Sequence, residues 1–192
     1  FTLMETEATE NGHFSGSIAF RESYHAFYPY NRQEEYNEFG DYGFRFYLPT
    51  IQTFTEGSFD PSAASMVASG NYGETLQFKN LCGVLALRLT GEEAVRSVSF
   101  TGYDESGNPI PVSGKYYALD IDTEEPRIEV APFEMPQYSI TLLSMTDAVV
   151  LKPETPTPFY FVLPPGTYNS FTIIVTTDDG KKMFKEGRKP LT

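Results

Sequence analysis

Several residue types that often decide a protein's class are rare or absent in this sequence. It contains no tryptophan, a single cysteine at Cys82 and two histidines, His13 and His25. One cysteine excludes a framework of intrachain disulfides. No apolar run approaches the roughly 20 residues that a membrane-spanning helix needs. We therefore expect no segment of the sequence to cross a bilayer as a helix.

Positive charge is also scarce. The chain has 14 Lys and Arg residues against 26 Asp and Glu residues, which gives a formal net charge of −12. An acidic surface repels the phosphates of nucleic acids and the headgroups of anionic lipids. The sequence therefore predicts no nucleic-acid partner and no direct contact with an anionic membrane surface.

The sequence shows no arrangement that is typical of a catalytic site. It has no glycine-rich phosphate loop and no G-x-S-x-G elbow. Cys82 lies in an apolar run, which is typical of a small buried hydrophobic residue. A catalytic thiolate or a Ser-His-Asp triad would have to use His13 or His25, and neither lies near a nucleophile motif. We expect no catalytic, cofactor-binding or metal-binding residues, and a protein that is not an enzyme.

Aromatic residues are abundant, with 16 Phe and 13 Tyr, and they recur in strand-like patterns. The clearest pattern runs from Phe159 to Phe184 and is divided by Pro165-Gly166 and Asp179-Gly180. It predicts a strand meander with a type II turn at the first dipeptide and a hairpin with a primed turn at the second. The apolar face of its central strand consists of Phe171, Ile173 and Val175.

Shorter alternating runs recur about every ten residues elsewhere, which indicates a β-sandwich. In 95–100, the alternation places Arg96, Val98 and Phe100 on one face. In 81–89, Leu81, Leu85, Leu87 and Leu89 share one side; a helix is an alternative here, but Gly83 and the strand-rich neighbours favour a strand. Residues 62–68 are either a helical turn after Asp60 or an extended edge. The other runs are 44–48, 76–78, 117–121, 128–130, 140–142 and 149–151.

Turn residues suggest how the chain is divided. Gly70-Asn71-Tyr72-Gly73 is the best candidate boundary. Together with the strand pattern, this boundary predicts an all-β protein with an N-terminal β domain over 1–73 and a C-terminal β-sandwich domain over 74–192. The chain begins at Phe1 rather than at an initiator Met, and we expect a mature or trimmed form from which a targeting segment has been removed.

An acidic segment carries carboxylates at nearly alternate positions: Asp120, Asp122, Glu124 and Glu125. The Gly at the sixth position and the Glu at the twelfth position of a helical calcium-binding loop are both missing. Two alternatives remain open, a loose Ca²⁺ site between loops and a solvated acidic turn. No carboxylate pair can be chosen as the acid and base of a glycosidase, because their separation is not visible in a sequence.

The most distinctive candidate binding feature is aromatic, and it comprises Tyr24, Phe27, Tyr28 and Tyr30, followed by Tyr36, Phe39 and Tyr42. Flat rings stack on the faces of sugars, so the first four are candidate glycan-binding residues. Aromatic rings are also core material, since each buries about 150–250 Å². The alternative is therefore that these rings form core and rim.

Several segments together resemble the fimbrillin-like surface proteins of Bacteroides and its relatives. They are 26–30 (Ala-Phe-Tyr-Pro-Tyr), Leu48-Pro49 with Gln52, 76–85 (Leu-Gln-Phe-Lys-Asn-Leu-Cys-Gly-Val-Leu), 95–102, Ser113-Gly114, 159–168 and 171–177. The resemblance covers most of the chain and is densest from Leu76 to Phe184. No single motif is diagnostic, and the likeness lies in the order and spacing of the segments.

The resemblance implies two tandem transthyretin-like β-sandwich domains, the N-terminal one short or incomplete. It also implies export to the cell surface, lipid attachment at an upstream cysteine, and a role as pilus subunit, anchor or adhesin. The expected partners are other pilus subunits or surface proteins, and host or microbial glycans. In such pili, a strand of one subunit completes a sheet of the next. The expected function is adhesion or fimbrial assembly, and the alternative is a carbohydrate-binding surface lipoprotein that uses the aromatics around Tyr24–Tyr42.

Overall fold

The computed structural model describes residues 2–3, 14–15, 18–29, 44–131 and 135–192. Within these ranges the chain is all-β, as predicted, and its sheets are consistent with a β-sandwich. The strands are β1 (Thr2–Leu3), β2 (Phe14–Ser15), β3 (Ser23–Tyr28), β4 (Phe44–Leu48), β5 (Ile51–Thr53), β6 (Met66–Asn71), β7 (Lys79–Asn80), β8 (Gly83–Leu89), β9 (Ala94–Tyr103), β10 (Gly114–Leu119), β11 (Arg127–Val130), β12 (Ile140–Leu143), β13 (Val149–Val150), β14 (Thr157–Leu163), β15 (Ser170–Thr177) and β16 (Lys182–Gly187).

The largest sheet has the strand order β16-β15-β9-β12-β5, and β13 also pairs with β9. Its neighbours are antiparallel, except that β5 runs parallel to β12. The inner face of this sheet packs against the two-stranded sheet β14-β8. Between them lies the first core, which includes Val98, Phe100, Ile140, Leu142, Phe159, Phe161, Ile173 and Val175.

A second core lies between two three-stranded sheets, β11-β10-β4 and β3-β6-β7. Alternation along β4 puts Phe46 and Leu48 in this core and leaves Tyr47 exposed, as the sequence predicts. The Phe46 ring stacks on Tyr116 of β10 at 5.8 Å. The buried members of the second core are Phe46, Leu48, Ala63, Val67, Leu81, Tyr116, Ala118, Ile121 and Val162.

β14 faces both cores. Phe159, Phe161 and Leu163 belong to the first core, whereas Val162 belongs to the second. A strand that is apolar on both faces must be covered on both sides. β14 is therefore an inner strand between the two groups of strands, whereas Val84, Ala86 and Arg88 leave the outer face of β8 exposed.

A buried side chain joins β5 to β14. Gln52 is fully buried on β5 and lies opposite Leu142 of β12. Its Nε2 donates to the carbonyl oxygen of Val162 at 2.8 Å, and its Oε1 accepts from the Val162 N–H at 2.9 Å. The amide thus satisfies both backbone groups of one residue, as a neighbouring strand would.

The predicted meander over 159–184 is wrong in one respect, because β14 and β15 lie in different sheets. Pro164 and Pro165 follow β14, and proline cannot donate a ladder hydrogen bond, so the chain leaves the sheet there. Gly166 has φ +155°, far from the roughly +80° of a type II turn. At this corner Tyr168 Oη donates to the carbonyl oxygen of Pro164 at 2.7 Å, as in the tyrosine corners of β-sandwiches.

The predicted hairpin between β15 and β16 is confirmed, but not its turn type. Gly180 N–H donates to the carbonyl oxygen of Thr177 at 3.1 Å. Gly180 has φ +84°, while neither Asp178 nor Asp179 has a positive φ. A primed turn needs a positive φ at its central residues, so this is a type I turn followed by a left-handed glycine.

The predicted faces of β9 need a correction at one position. Thr176 of β15 pairs with Ser97, but Thr177 pairs with Val95, which leaves Arg96 as an extra residue. Such a bulge reverses the alternation locally. Val95 therefore joins the first core with Val98 and Phe100, and Arg96 lies outside it.

The two ambiguous runs are also resolved. Residues 83–89 form strand β8, but Leu81 precedes it in a turn and packs in the second core, away from the three later leucines. Residues 61–63 form a 3₁₀ turn after Asp60, whose Oδ1 accepts from the Ser62 N–H at 2.9 Å, and β6 follows as a strand. The predicted turn is thus confirmed at the start of 62–68, whereas its end is extended but lies in the central strand of a sheet rather than at an edge.

Strand pairing links the segments on either side of residue 73. β4 pairs with β10, and β5 pairs with β12. The division into 1–73 and 74–192 stays a prediction. Each of these two pairings joins a strand of the first range to a strand of the second. Among the residues described, no helix is long and apolar enough to cross a membrane.

We predict that Gln52→Leu destabilises the fold strongly. The change leaves the Val162 N–H and carbonyl oxygen buried without a partner, at about 1–3 kcal/mol for each group. Urea unfolding followed by circular dichroism should show a loss of about 2–5 kcal/mol. The control Gln77→Leu, at an exposed site, should change stability by less than about 0.5 kcal/mol. Equal stability of Gln52→Leu and the wild type would contradict the structural role of this amide.

Candidate functional site

The predicted glycan-binding residues do not form one surface. On β3, Phe27 packs against the second core, with its ring 5.8 Å from the rings of Phe44 and Phe46. Alternation places Tyr24 and Tyr28 on the opposite face, about 13 Å apart at roughly 3.4 Å per residue. Phe27 is therefore core material rather than a ligand contact.

The other predicted aromatics, Tyr30, Tyr36, Phe39 and Tyr42, lie outside the described residues, as does His13. Of the four candidate glycan-binding residues, Tyr24 has the clearest aromatic neighbours on the surface. It belongs with Phe20 and Tyr72 to a group that we call the aromatic cluster. The rings of Phe20 and Tyr72 meet edge to face at 5.0 Å, and those of Tyr24 and Tyr72 lie 6.5 Å apart.

The aromatic cluster is exposed and has a polar rim. Phe20 is 66% exposed and Tyr72 is 65% exposed. Tyr24 Oη accepts from the Arg21 N–H at 3.0 Å. Nearby, the Asn71 N–H donates to Glu74 Oε2 at 2.7 Å, and this bond holds the pKa of Glu74 below its usual value. Exposed rings beside hydrogen-bonding groups can stack on a sugar and bind its hydroxyls.

Sequence reasoning missed Phe20 and Tyr72 as members of this cluster. Tyr72 was assigned to a turn, and it reaches Tyr24 because β3 and β6 are antiparallel with Ser23 opposite Asn71. That register is a tertiary feature. The only signal in the sequence was the presence of aromatic residues flanking both strands of a candidate hairpin.

The acidic segment places three of its carboxylates beside three separate partners. Asp120 Oδ2 lies 2.5 Å from Arg127 Nε, and Asp122 Oδ1 lies 3.0 Å from His25 Nε2. Glu124 pairs with Lys79 at 3.4 Å. Across the described residues, no group of three or more His, Cys, Asp and Glu side chains is placed to hold a metal ion. The geometry favours an ion-paired surface turn over the Ca²⁺ alternative.

Cys82 behaves as the sequence predicts. Its side chain packs against the second core. Burial raises the pKa of the Cys82 thiol to about 12, so the thiol is protonated at neutral pH. A protonated thiol is a poor nucleophile and a poor metal ligand.

β8 has one unpaired edge. The strand pairs with β14 along its whole length, and no other described strand pairs with it. Leu85, Leu87 and Leu89 point toward the first core but are only half-buried, and Val84 on the other face is 49% exposed. Arg88 is the one charged residue of this strand. We call this feature the open edge.

Two other outer strands carry more charge than the open edge. β16 contains Lys182, Lys185 and Glu186, and β11 contains Arg127 and Glu129. Charged residues on an edge strand hinder pairing with another chain. The open edge has one charged residue among seven, and the outer strands β3, β4 and β5, which carry one charged residue or none, are shorter. Apart from its partner β14, the open edge is thus the longest weakly charged outer strand among those described.

A groove lies at the Gly83 end of the open edge. It has a volume of about 430 Å³ and is bordered by Val84 and Leu85, by Pro164–Gly166 and by Leu191. Leu191 exchanges two backbone hydrogen bonds with Tyr168, at 2.8 and 3.0 Å. The groove is thus an apolar recess that continues the exposed face of β8.

A larger cleft of about 610 Å³ lies at another place, between the β12–β13 loop and the segments around Glu56 and Thr155. Its lining includes Glu56, Asp147 and Lys152, but these three side chains form no hydrogen bond or ion pair with one another. Arg96 holds the loop by donating to the carbonyl oxygens of Ser144 and Thr146 at 3.2 and 2.6 Å. The cleft is a feature of loop packing.

Comparison of the chain with protein-family models, with curated proteins and with solved structures finds no match. The class that the fold itself defines is an all-β protein built from several packed sheets, consistent with a β-sandwich.

We predict that Cys82 reacts slowly with a thiol reagent. Because burial raises its pKa to about 12, the thiolate population should stay small up to about pH 9, whereas an ordinary cysteine with a pKa of about 8.5 ionises there. The measurement is the rate at which the thiol exchanges with an aromatic disulfide that releases a coloured thiolate, compared between neutral pH and pH 9. In a Cys82→Ser background, Val84→Cys should react much faster. Equal rates at the two positions would refute a buried, protonated Cys82.

Proposed function

We propose that this protein is a non-enzymatic cell-surface protein for adhesion or fimbrial assembly, which accepts a β-strand from a partner at its open edge. The observation that carries the proposal is the open edge itself. β8 presents seven residues, one of them charged, and its inward leucines are incompletely covered.

Strand addition would supply the hydrogen-bonding partner that the backbone of this edge lacks. An unpaired strand leaves backbone N–H and C=O groups without a sheet partner, and an added strand satisfies them. Alternate side chains of the added strand would cover Leu85 and Leu87 and would fill the groove beside Leu191. Burial contributes roughly 25 cal/mol for each Å² of apolar surface. Recognition would therefore need an extended partner with alternating apolar residues.

The proposal includes the finer expectations that follow from the fimbrillin-like resemblance. They are two tandem transthyretin-like sandwiches, export to the cell surface, a lipid anchor outside this chain, and pilus subunits or surface proteins as partners. The all-β fold supports these expectations, because strand exchange requires a sheet with an accessible edge.

We predict that Leu87→Lys prevents assembly. The substitution places a charge on the inward row of the open edge, where an added strand would have to bury it. Sedimentation of the full-length exported protein and electron microscopy of cells that carry it should show assemblies for the wild type and none for the variant. In wild-type assemblies, hydrogen exchange at Gly83–Leu89 should also slow.

The matched control is Val150→Lys, which changes an exposed residue of β13 and should leave assembly intact. Circular dichroism of Leu87→Lys shows whether the fold is retained. If the wild-type protein is only monomeric and cells without it adhere normally, the proposed function is wrong.

A second function is favoured by the aromatic cluster. Phe20, Tyr24 and Tyr72 form an exposed group of rings next to hydrogen-bonding groups, which is compatible with binding of a neutral glycan. Such a protein would act as a carbohydrate-binding surface lipoprotein.

We predict that Tyr72→Ala reduces glycan binding by about 5–13-fold, because one aromatic contact contributes about 1–1.5 kcal/mol. Binding is measured on a glycan array and then by calorimetry with the best glycan. Tyr28→Ala is the control, since Tyr28 lies on the same face of β3 but outside the aromatic cluster. No binding to any glycan, or an equal loss in both variants, would eliminate this function.

A further inference from the structure

Positive charge is concentrated in one segment of this acidic chain. Residues 181–189 (Lys-Lys-Met-Phe-Lys-Glu-Gly-Arg-Lys) contain five of the 14 Lys and Arg residues and one carboxylate. They comprise β16 and the residues that flank it. We call this segment the basic strand.

The basic strand is exposed and part of its charge is not neutralised. Lys181 pairs with Asp179 at 2.8 Å, and Arg188 lies 3.7 Å from Glu186. Lys182, Lys185 and Lys189 are exposed and make no ion pair with another described residue. These three ammonium groups remain available to an anion.

The neighbouring acidic side chains are already occupied. Asp178, at the turn before β16, accepts from Arg96 Nε at 2.9 Å. Asp179 is bound by Lys181, which together with Thr177 lowers the pKa of Asp179 to about 2. Asp178 and Asp179 are therefore already paired with other cations, and they do not compete for the three remaining lysines.

Exposed apolar groups alternate with the lysines. Met183 is 57% exposed and Phe184 is 60% exposed. Alternation puts Lys182 and Phe184 on the outer face and Met183 and Lys185 on the inner face. Lys182 and Lys185 are about 10 Å apart along the strand, and the whole segment extends for up to about 27 Å. Lys182 and Lys185 thus lie on opposite faces, and β16 is the last strand of its sheet. A linear ligand that runs along the outer border of β16 would meet cations from both faces and the ring of Phe184.

We propose that the basic strand binds a linear acidic polysaccharide, whose carboxylate or sulfate groups pair with Lys182, Lys185 and Lys189 while a sugar face stacks on Phe184. Lysines on an edge strand also hinder aggregation. That role alone does not account for the cations that continue beyond the strand at Arg188 and Lys189, nor for the exposed phenylalanine among them.

The overall charge of −12 does not prevent this binding. At physiological ionic strength the Debye length is about 8 Å, so carboxylates elsewhere on the protein are largely screened from a ligand on the basic strand. The nearby carboxylates of Asp178 and Asp179 are already paired with cations, so the charge that the ligand meets at the basic strand is positive.

Charge density favours a polysaccharide over a nucleic acid. Double-stranded DNA carries one charge for each ~1.7 Å, or about 16 charges over a 27 Å segment. Five cations would leave most of these phosphates unpaired beside an acidic protein. An acidic polysaccharide carries its charges on separate sugar rings and is less densely charged, so fewer of its anionic groups remain unpaired.

The test uses the full chain and two immobilised probes, polygalacturonate with carboxylates and heparin with sulfates. Binding to either is expected, and it should weaken as NaCl is raised from about 0.1 to about 0.5 M because the contacts are ionic. Lys182→Gln/Lys185→Gln should weaken binding at least tenfold. Lys115→Gln/Lys152→Gln removes the same charge from two other exposed positions outside the open edge and should change binding less than twofold.

A third variant separates sugar recognition from simple attraction of anions. Phe184→Ala should weaken binding to the polysaccharide but not to inorganic polyphosphate. The proposal is wrong if neither polysaccharide binds, if the two double variants lose binding equally, or if polyphosphate, duplex DNA or phosphatidylserine vesicles bind more tightly than both polysaccharides. Because the open edge is unchanged in all three variants, these outcomes are independent of strand addition.

Discussion

The whole arrangement of sheets depends on how the backbone of Val162 is satisfied. Gln52 supplies one donor and one acceptor from a fully buried amide, so β14 can lie against β5 without a continuous ladder between them. A buried N–H or C=O without a partner costs about 1–3 kcal/mol. The glutamine lets the chain stack β14 on the large sheet and still place Val162 in the second core.

This shared strand links the two cores energetically. β14 buries Phe159 and Phe161 in one core and Val162 in the other. The chain also passes from one group of sheets to the other between β4 and β5, where Leu48 pairs with Gly114 and Ile51 pairs with Thr141. Loss of packing in either core would thus remove support from strands of the other.

Short-range pattern predicted many of the strands, but it was wrong for 76–78, which lie before β7 and outside any strand, and it did not predict strand partners. Alternation identified β4 and β15, because one face of each is buried and the other is not. Alternation misassigned Val95, because the bulge at that point is set by the pairing of β9 with β15. It missed Tyr72 as a member of the aromatic cluster, because the neighbouring Tyr24 lies 48 positions earlier in the sequence. The open edge was also invisible, since the leucines of β8 look the same in sequence whether or not a strand covers them.

The two borders of the sheet β14-β8 are chemically unequal. On one side the Gln52 amide occupies the backbone of Val162, and on the other side β8 meets no described strand. The proposed strand addition would extend this sheet at the border formed by β8, because Gln52 already occupies the backbone of Val162 on the other border. Each copy of the protein would then take up a single strand here, so that any polymer formed through this sheet has one-to-one stoichiometry, a head and a tail, and no branches.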